Sequence, residues 1–188
     1  MKKTDLLVIG GSAGGILSAT MARKAYGEIN ITVIRDTDAV MVPCGIPYIY
    51  GTLKCTSKNV IPDKMLVDAK IDLVVGTVVK IDKENKTVTT KENETYSYKK
   101  LVIATGSLPI IPTFIQGYEL ENVFPIYKNQ DYLNAILEKL ETVENVAVIG
   151  GGFIGVEFAE QISMTGKKVT LVEMADACLW QAFDKSYT

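Results

Sequence analysis

Two glycine-rich turns, each between an apolar strand and a helix, constrain the fold of this 188-residue chain more than any other feature. Residues 6–9 lead into the first turn at residues 10–15, and residues 146–149 lead into the second at residues 150–155. Such a turn lets main-chain N–H groups approach a phosphate, and the helix N-terminus adds the positive end of its dipole. One turn is a weak signal, but two in the same strand–turn–helix context predict two dinucleotide-binding units.

Each turn is flanked by segments in the order strand, helix, strand. In the first unit we expect a helix over residues 13–26 and a strand over residues 30–35. The second unit is predicted to contain, in order, a helix at 129–140, a strand at 145–149, a helix at 153–164 and a strand at 168–173. Parallel strands need such helical crossovers. The sequence therefore predicts an α/β fold with two Rossmann-like βαβ units.

The segment between the two units alternates β-branched and polar residues, which is typical of antiparallel strands. Two such runs lie within residues 71–98, with a hairpin turn predicted at residues 92–94, and residues 101–104 form a short apolar strand. Pro109 and Pro112 then favour an extended linker. We expect a first domain over residues 1–112, which carries a small antiparallel β-meander, and a second, incomplete domain over residues 113–188.

Charge and cysteine content argue against several classes of function. The chain has 20 basic and 22 acidic residues and a formal net charge of −2, so no overall field attracts nucleic acid or an anionic membrane. Three cysteines without a C-x-x-C pair argue against a disulfide framework and a zinc site, so we expect no metal and a reducing, cytoplasmic location. The N-terminus superficially resembles a secretory signal, but its glycines and the following Arg23 and Lys24 argue against one.

The residue at the end of the second strand of a βαβ unit decides which nucleotide the turn holds. Glu173 has this place in the second unit, where a carboxylate accepts hydrogen bonds from ribose hydroxyls and repels a 2′-phosphate. This favours NADH over NADPH. Arg35 has the equivalent place in the first unit, with Asp36 beside it. Taken alone, the arginine indicates a 2′-phosphate and therefore NADP, so a flavin at this site requires an independent argument.

Three separated motifs supply that argument. They are V-P-C-G-I-P-Y at residues 42–48, L-V-I-A-T-G-S-L-P at residues 101–109 and G-G-G-F-I-G-V-E at residues 150–157. Together they resemble the FAD-dependent pyridine nucleotide-disulfide oxidoreductase family, and most closely its single-cysteine branch of coenzyme A-disulfide reductases and NADH oxidases. The resemblance covers nearly the whole chain, with the motifs in the expected order.

The resemblance implies a set of cofactor contacts. The FAD pyrophosphate would be held by Gly10, Ser12, Ala13 and Gly14, and the adenine would touch the main chain near Val79. The flavin would lie against Ala104, Thr105 and Gly106. NADH would be held by Gly150, Gly152, Ile154, Gly155, Glu157 and Glu173. In place of the glutamate that usually holds the FAD ribose, either Arg35 would stack on the adenine or Asp36 would substitute.

Cys44 is implied by the resemblance to be the redox-active thiol over the isoalloxazine. It lies where a loop is predicted to meet a short helix, whose N–H groups would stabilise a thiolate. Two-cysteine relatives carry C-x-x-x-x-C, whereas the next cysteine here is Cys55, so Cys44 would cycle through a mixed disulfide, a persulfide or a sulfenic acid. Cys55 and Cys178 are expected to be inert buried thiols. The asparagine that precedes the cysteine in coenzyme A-disulfide reductases is replaced here by Pro43.

The resulting hypothesis is a flavoprotein reductase that passes a hydride from NADH through FAD to an oxidised Cys44 and on to a disulfide, persulfide or oxygen acceptor. Two alternatives remain open: a truncated nucleotide-binding module without turnover of its own, and an electron-transfer reductase in which Cys44 is a bystander. The partner would be a small molecule, and a full-length relative would be a homodimer. Because members of the family are more than twice as long and residues 185–188 carry no terminating signal, we expect an N-terminal fragment.

Overall fold

The structure is a computed structural model that describes residues 1–184 and residue 186. Of the last residues that the sequence singled out, Lys185, Tyr187 and Thr188 lie outside the described residues. The chain forms two compact units: Met1–Val40 with Ile61–Pro109, and Met41–Val60 with Ile110–Thr188. These units follow packing, whereas the predicted division at residue 112 rests on the linker signal of Pro109 and Pro112, so that division stays a prediction.

The first unit is built on a six-stranded sheet with the order β3-β2-β1-β6-β5-β4. Its elements are β1 (Lys2–Ile9), α1 (Ala13–Tyr26), β2 (Ile31–Arg35), α2 (Lys64–Asp68), β3 (Asp72–Val75), β4 (Val78–Asp82), β5 (Thr87–Thr90) and β6 (Thr95–Ile103). Strands β3, β2, β1 and β6 run parallel, and β5 is antiparallel to both β6 and β4. Helix α1 begins and ends where predicted, and Gly27, which follows its last residue, has a φ of 66°.

Strands β1 and β2 of this sheet have buried side chains on both faces, since successive side chains along a strand point to opposite sides. Leu6, Val8, Ile31 and Val33 are buried with residues of α1 and α2, among them Ile16, Ala19 and Leu66. Leu7, Ile9 and Ile34 are buried on the other side with Val88 of β5 and Tyr96 of β6. Strands buried on both faces read as continuous apolar runs, as residues 6–9 do.

Strand pairing differs from the predicted meander in two places. Residues 72–75 pair in parallel with β2, from Thr32↔Asp72 to Arg35↔Val75, so they extend the parallel sheet. Residues 95–103 form one strand that pairs with β1 along its length, instead of a hairpin strand followed by a separate short one. Both differences arise from partners distant in sequence. The predicted hairpin turn is present: Asn93 has a φ of 63° and its N–H donates to the Thr90 carbonyl at 2.9 Å.

The second unit contains α3 (Gln130–Glu141), β7 (Asn145–Ile149), α4 (Phe153–Ser163) and β8 (Lys168–Val172). Strands β7 and β8 pair in parallel, from Asn145↔Lys168 to Ile149↔Val172. The Asn129 side chain caps α3 by accepting a hydrogen bond from the Tyr132 N–H at 2.9 Å, as asparagine does at helix N-termini. The βαβ order predicted from the sequence is therefore present in this unit.

Three one-turn 3₁₀ helices, Pro43–Gly45, Pro47–Tyr50 and Thr56–Asn59, pack into the second unit. The Tyr50 ring lies 5.4 Å from the Phe158 ring of α4, and the Tyr50 hydroxyl donates to the Leu133 carbonyl of α3 at 3.2 Å. Burial raises the pKa of this hydroxyl well above its usual range. The Thr52 N–H and hydroxyl both donate to Gln161 Oε1, at 2.9 and 2.8 Å. The segment that carries Cys44 is thus anchored to α3 and α4.

The described elements confirm the predicted α/β fold with a parallel sheet core and strand–helix–strand units. In the described part of the chain, no helix is both long enough and apolar enough to cross a bilayer.

Candidate functional site

The first glycine-rich turn is closed by contacts that only glycine permits. Gly10 has a φ of 103° and donates its N–H to the Ile34 carbonyl at 2.8 Å. A Cβ at Gly15 would lie 1.8 Å from the Gly10 carbonyl oxygen, and a Cβ at Gly10 would lie 2.1 Å from the Ala104 carbonyl oxygen. The turn therefore brings the ends of β1 and β6 and the start of α1 together at the carboxyl edge of the parallel strands, where open α/β sheets bind ligands.

Most of the residues predicted to hold the first nucleotide lie at this edge. The Ala104 N–H donates to the Ile9 carbonyl at 2.7 Å, and a Cβ at Gly14 would be 3.9 Å from the Ala104 Cβ. Ser12 is half-buried, and the exposed predicted residues are Ala13, Gly14, Asp36, Thr105 and Gly106. Val79 is also exposed, in β4 at a shift in strand register, and its contact with an adenine stays a prediction.

Arg35 lies beneath this turn instead of extending from it. Its side chain is 4% exposed, and its stem lies so close to Gly11 that a Cβ there would come within 2.7 Å of the Arg35 Cδ. The guanidinium donates to the Thr37 and Asp38 carbonyls at 2.8 and 2.7 Å and forms a two-pronged ion pair with Asp63, with Nη2 2.8 Å from Oδ2. Sequence reasoning missed Asp63, because only the fold brings residues 35 and 63 together.

The second turn repeats the geometry of the first. Gly150 has a φ of 106° and donates its N–H to the Val172 carbonyl at 2.8 Å. A Cβ at Gly155 would lie 1.8 Å from the Gly150 carbonyl oxygen, the same approach as between Gly15 and Gly10. Gly152 caps α4. Gly152 and Ile154 are exposed, and Gly155 and Glu157 are half-buried.

Glu173 lies directly below the second turn. Its carboxylate accepts hydrogen bonds from the Ala175 N–H at 2.8 Å and the Gly151 N–H at 2.5 Å. These two bonds, with Ala175 the larger cause, hold the pKa of the Glu173 carboxyl below its ordinary value, so the group is ionised at neutral pH. Each carboxylate oxygen has two lone pairs, and a single main-chain hydrogen bond uses only one of them. Glu173 can therefore hold the turn and still accept from a ribose hydroxyl.

A segment that the sequence did not single out packs against the second turn. The Leu179 N–H donates to the Gly151 carbonyl at 2.8 Å, and a Cβ at Gly151 would lie 2.9 Å from the Cys178 Sγ. The rings of Phe153 and Phe183 are 6.0 Å apart. No local pattern marks these residues, since each contact joins positions distant in sequence.

Cys44 is exposed, in the one-turn helix Pro43–Gly45 that precedes Pro47–Tyr50. The short helix predicted after the loop is a pair of single 3₁₀ turns that begin at Pro43 and Pro47, and stabilisation of a Cys44 thiolate there stays a prediction. The expectation of buried thiols at Cys55 and Cys178 is wrong, since both are half-buried. A hydrogen bond with the Ser57 hydroxyl, at 2.9 Å, is the main cause that lowers the pKa of the Cys55 thiol.

Asn59 lies against the residues on either side of Cys44 in its turn, Val42 and Gly45. Its carbonyl accepts from the Val42 N–H at 2.8 Å, and its Nδ2 donates to the Val42 carbonyl at 3.0 Å. A Cβ at Gly45 would lie 1.9 Å from Asn59 Oδ1, so the residue after Cys44 must be glycine if Asn59 is to keep this place. A carboxamide thus lies against the turn, although it comes from residue 59 and not from the position before the cysteine.

Comparisons with known proteins give the same family as the three sequence motifs. The family described as pyridine nucleotide-disulphide oxidoreductase matches residues 4–188. The chain is similar to an NAD(P)H coenzyme A polysulfide/persulfide reductase from Pyrococcus horikoshii, at 35% identity over 99% of this chain and 43% of the relative. It is also similar to an NADH oxidase from Enterococcus faecalis, at 34% identity over 97% of this chain and 43% of the relative.

A solved structure is similar to this fold as well. The water-forming NADH oxidase from Lactobacillus brevis, bound to NADH, has a TM-score of 0.87 and 28% identity over 98% of this chain and 43% of that one. The chain therefore spans less than half the length of the proteins that it resembles.

Proposed function

The chain belongs to the pyridine nucleotide-disulphide oxidoreductase family, and we propose that it is the cofactor-binding part of an NADH-dependent flavoprotein reductase whose redox-active thiol is Cys44. The family predicted from the three motifs is confirmed, and with it the oxidoreductase class. Proteins of this class use FAD and a nicotinamide dinucleotide. When bound, FAD accepts a hydride from the nicotinamide and delivers two electrons to the acceptor.

The first turn fits the pyrophosphate of FAD. Its glycines have no side chain that would keep a phosphate away from the main chain. Ser12, Ala13 and Gly14 lie at the start of α1, where N–H groups have no intrahelical partners. Ala104 is packed against Gly10, so the strand end that would face the flavin is fixed relative to the phosphate site. Under this proposal residues 1–112 form the FAD-binding domain.

The second turn fits NADH. Its closure matches that of the first turn, and the ionised Glu173 lies where it would accept from the adenosine ribose and repel a 2′-phosphate. We assign Gly150, Gly152, Ile154, Gly155 and Glu157 to the same nucleotide, because they form the turn and the first turn of α4. Residues 113–188 would then begin the NAD-binding domain, with NADH preferred over NADPH.

The observation that carries the proposed function is an exposed Cys44 in a turn held by Asn59. The Cys44 thiolate would attack a disulfide, forming a mixed disulfide and releasing one thiolate. The hydride of NADH, equivalent to two electrons and one proton, would then release the second thiol and regenerate the Cys44 thiolate, and the thiolate released first would take up one proton from solvent. The overall reaction converts NADH, one proton and one disulfide into NAD⁺ and two thiols.

The names of the relatives support the acceptor classes. One is named for polysulfide and persulfide reduction and another for NADH oxidation. We propose that this protein passes electrons to the same kinds of small molecule: low-molecular-weight disulfides or persulfides, or oxygen.

The test is anaerobic NADH oxidation by the FAD-loaded chain, with a low-molecular-weight disulfide as acceptor. Cys44→Ser should reduce disulfide turnover to background while FAD uptake and bleaching by NADH persist. Cys55→Ser is the matched control, because Cys55 is the other thiol in the same segment, and it should retain turnover. Undiminished disulfide reduction by Cys44→Ser would contradict the mechanism and support a reductase in which Cys44 is a bystander.

A second candidate function is a nucleotide-binding module without turnover. In that case the two turns would hold their nucleotides without passing electrons on to an acceptor. Purified chain that binds FAD and NADH but does not oxidise NADH would support the module, whereas flavin bleaching by NADH would exclude it.

A further inference from the structure

Arg35 ends the second strand of the first βαβ unit, at the position that recognises the adenosine ribose in dinucleotide-binding folds. A free arginine at such a place accommodates a 2′-phosphate and favours a phosphorylated nucleotide. The proposed function requires the opposite here, since FAD carries no 2′-phosphate. Whether the Arg35 guanidinium is free to bind a phosphate therefore decides whether the first turn can accept a nucleotide with a 2′-phosphate.

The Arg35 guanidinium is occupied within the first unit. It has five N–H donors, and four of its bonds go to internal acceptors: one from Nε to Thr37, one from Nη1 to Asp63, and two from Nη2 to Asp38 and Asp63. The two carboxylate oxygens of Asp63 accept from Nη1 and Nη2, the pair of donors that a phosphate would need for bidentate binding. A 2′-phosphate would have to displace this carboxylate before it could bind the arginine.

The surroundings of the ion pair hold it closed. The Arg35 side chain is 4% exposed, whereas that of Asp63 is 37% exposed and presents its negative charge on the solvent side. Opening the pair would leave a guanidinium buried without its counter-charge, which is strongly unfavourable. Asp63 thus neutralises the arginine and adds a charge that repels an approaching phosphate.

We propose that Asp63 is a specificity-determining residue: by holding Arg35, it makes the first turn accept a dinucleotide without a 2′-phosphate. The inference rests on the proposed function in taking the first turn as a nucleotide seat. Asp36, exposed beside Arg35, then supplies the acceptor for the ribose hydroxyls. Arg35 itself is a positioning residue that supports Gly11 from below.

The experiment compares two nucleotides that differ only in the 2′-phosphate, AMP and 2′,5′-ADP, by calorimetric titration of the purified chain. Asp63→Asn removes the charge that holds Arg35 and should raise affinity for 2′,5′-ADP relative to AMP by about tenfold, the size of one charge-assisted hydrogen bond. Asp68→Asn is the matched control, since Asp68 pairs only with Lys64 on the surface of α2 in the described bonds. It should leave the ratio unchanged.

A double variant assigns the effect to the first turn. Adding Arg35→Met to Asp63→Asn should abolish the gain, because the freed guanidinium is its source, and saturation with FAD should abolish it too. An unchanged ratio in Asp63→Asn, or a gain that survives Arg35→Met, would overturn the inference. If Asp63→Asn does not fold, the single variant Arg35→Met decides: it should weaken both nucleotides by the same factor, and a selective loss of 2′,5′-ADP would overturn the inference.

The outcome is separable from that of the proposed function. A chain that takes up no FAD contradicts the proposed function, yet the calorimetric ratio still reports on Arg35 and Asp63. Conversely, an unchanged ratio leaves disulfide reduction through Cys44 unaffected.

Discussion

At the scale of single residues, the last glycine of each turn has the tightest contact. A Cβ at Gly15 or Gly155 would lie 1.8 Å from a carbonyl oxygen of the same turn, so neither backbone can remain in place with any larger residue. Gly14 differs, because its Cβ would meet only ordinary contact with Ala104 at 3.9 Å. Neighbouring glycines of one motif therefore have different physical reasons for being glycine.

We predict that Gly15→Ala destabilises the protein by about 1–3 kcal/mol, because the added methyl group must displace the Gly10 carbonyl. Gly14→Ala is the matched control: in the first turn of α1 it should be neutral or stabilising by up to ~1 kcal/mol, since alanine loses less entropy in a helix. Denaturant unfolding measures both. Equal free energies of unfolding for the two variants would contradict the prediction.

Glu173 gives a prediction on pH dependence. Its folded pKa lies below the ordinary value of 4.5, so its contribution to stability is present above that value and is lost as pH falls through the folded pKa. The difference in melting temperature between the native chain and Glu173→Gln should be largest at neutral pH and should shrink on acidification below about pH 4.5. A difference that is constant across this range would show that the carboxylate charge does not hold the turn.

At the scale of elements, the segment of short 3₁₀ helices is the part of the fold that carries the proposed chemistry. It has little regular structure of its own, so its order depends on bonds to α3 and α4 and on Asn59 within it. Asn59 is 4% exposed, and its removal would take away one of the two hydrogen bonds that the Val42 carbonyl accepts, the other coming from the Gly45 N–H.

We predict that Asn59→Ala loosens the turn around Cys44. The Gly45 N–H, which donates to the same Val42 carbonyl that Asn59 Nδ2 contacts, should exchange with solvent about tenfold faster, equivalent to ~1.4 kcal/mol of local stability. Thr56→Val is the control. Thr56 lies in the same 3₁₀ helix as Asn59, and the change breaks its bond to Asn134 of α3 without removing a contact to Val42. Equal exchange of Gly45 in both variants would mean that Asn59 does not hold the turn.

At the scale of the whole molecule, the two turns belong to different compact units and have separate ligands under the proposed function. Hydrogen exchange of the intact chain should therefore show two footprints. FAD should slow exchange at residues 10–15 and 104–106, and NADH should slow exchange at residues 150–155 and 173–175, because bound nucleotides protect the amides that they contact. If FAD gave no protection at the first turn, its assignment as the flavin seat would be wrong.

The secondary structure around the turns was predictable because its signals are local. The first glycine-rich turn and Gly27 mark the two ends of α1, and residues 145–149, which are apolar from Val146 onward, form β7 over the predicted range. The β-meander was only partly predictable: the same β-branched texture occurs in β3, which is parallel to β2, and in β4, which is antiparallel to β5. Residue types alone do not choose between distant partners.

The sequence by itself determined two strand–turn–helix units, the family and the cysteine on which the proposed chemistry depends, because these are encoded by short runs of adjacent residues. Only the tertiary structure decided what the key side chains do. It paired Arg35 with Asp63, placed Glu173 under Gly151 and bonded Asn59 to Val42 in the turn that carries Cys44. Each of these contacts joins positions that are separated along the chain, so the charge or hydrogen bond that defines the role of a residue comes from a partner that only folding supplies.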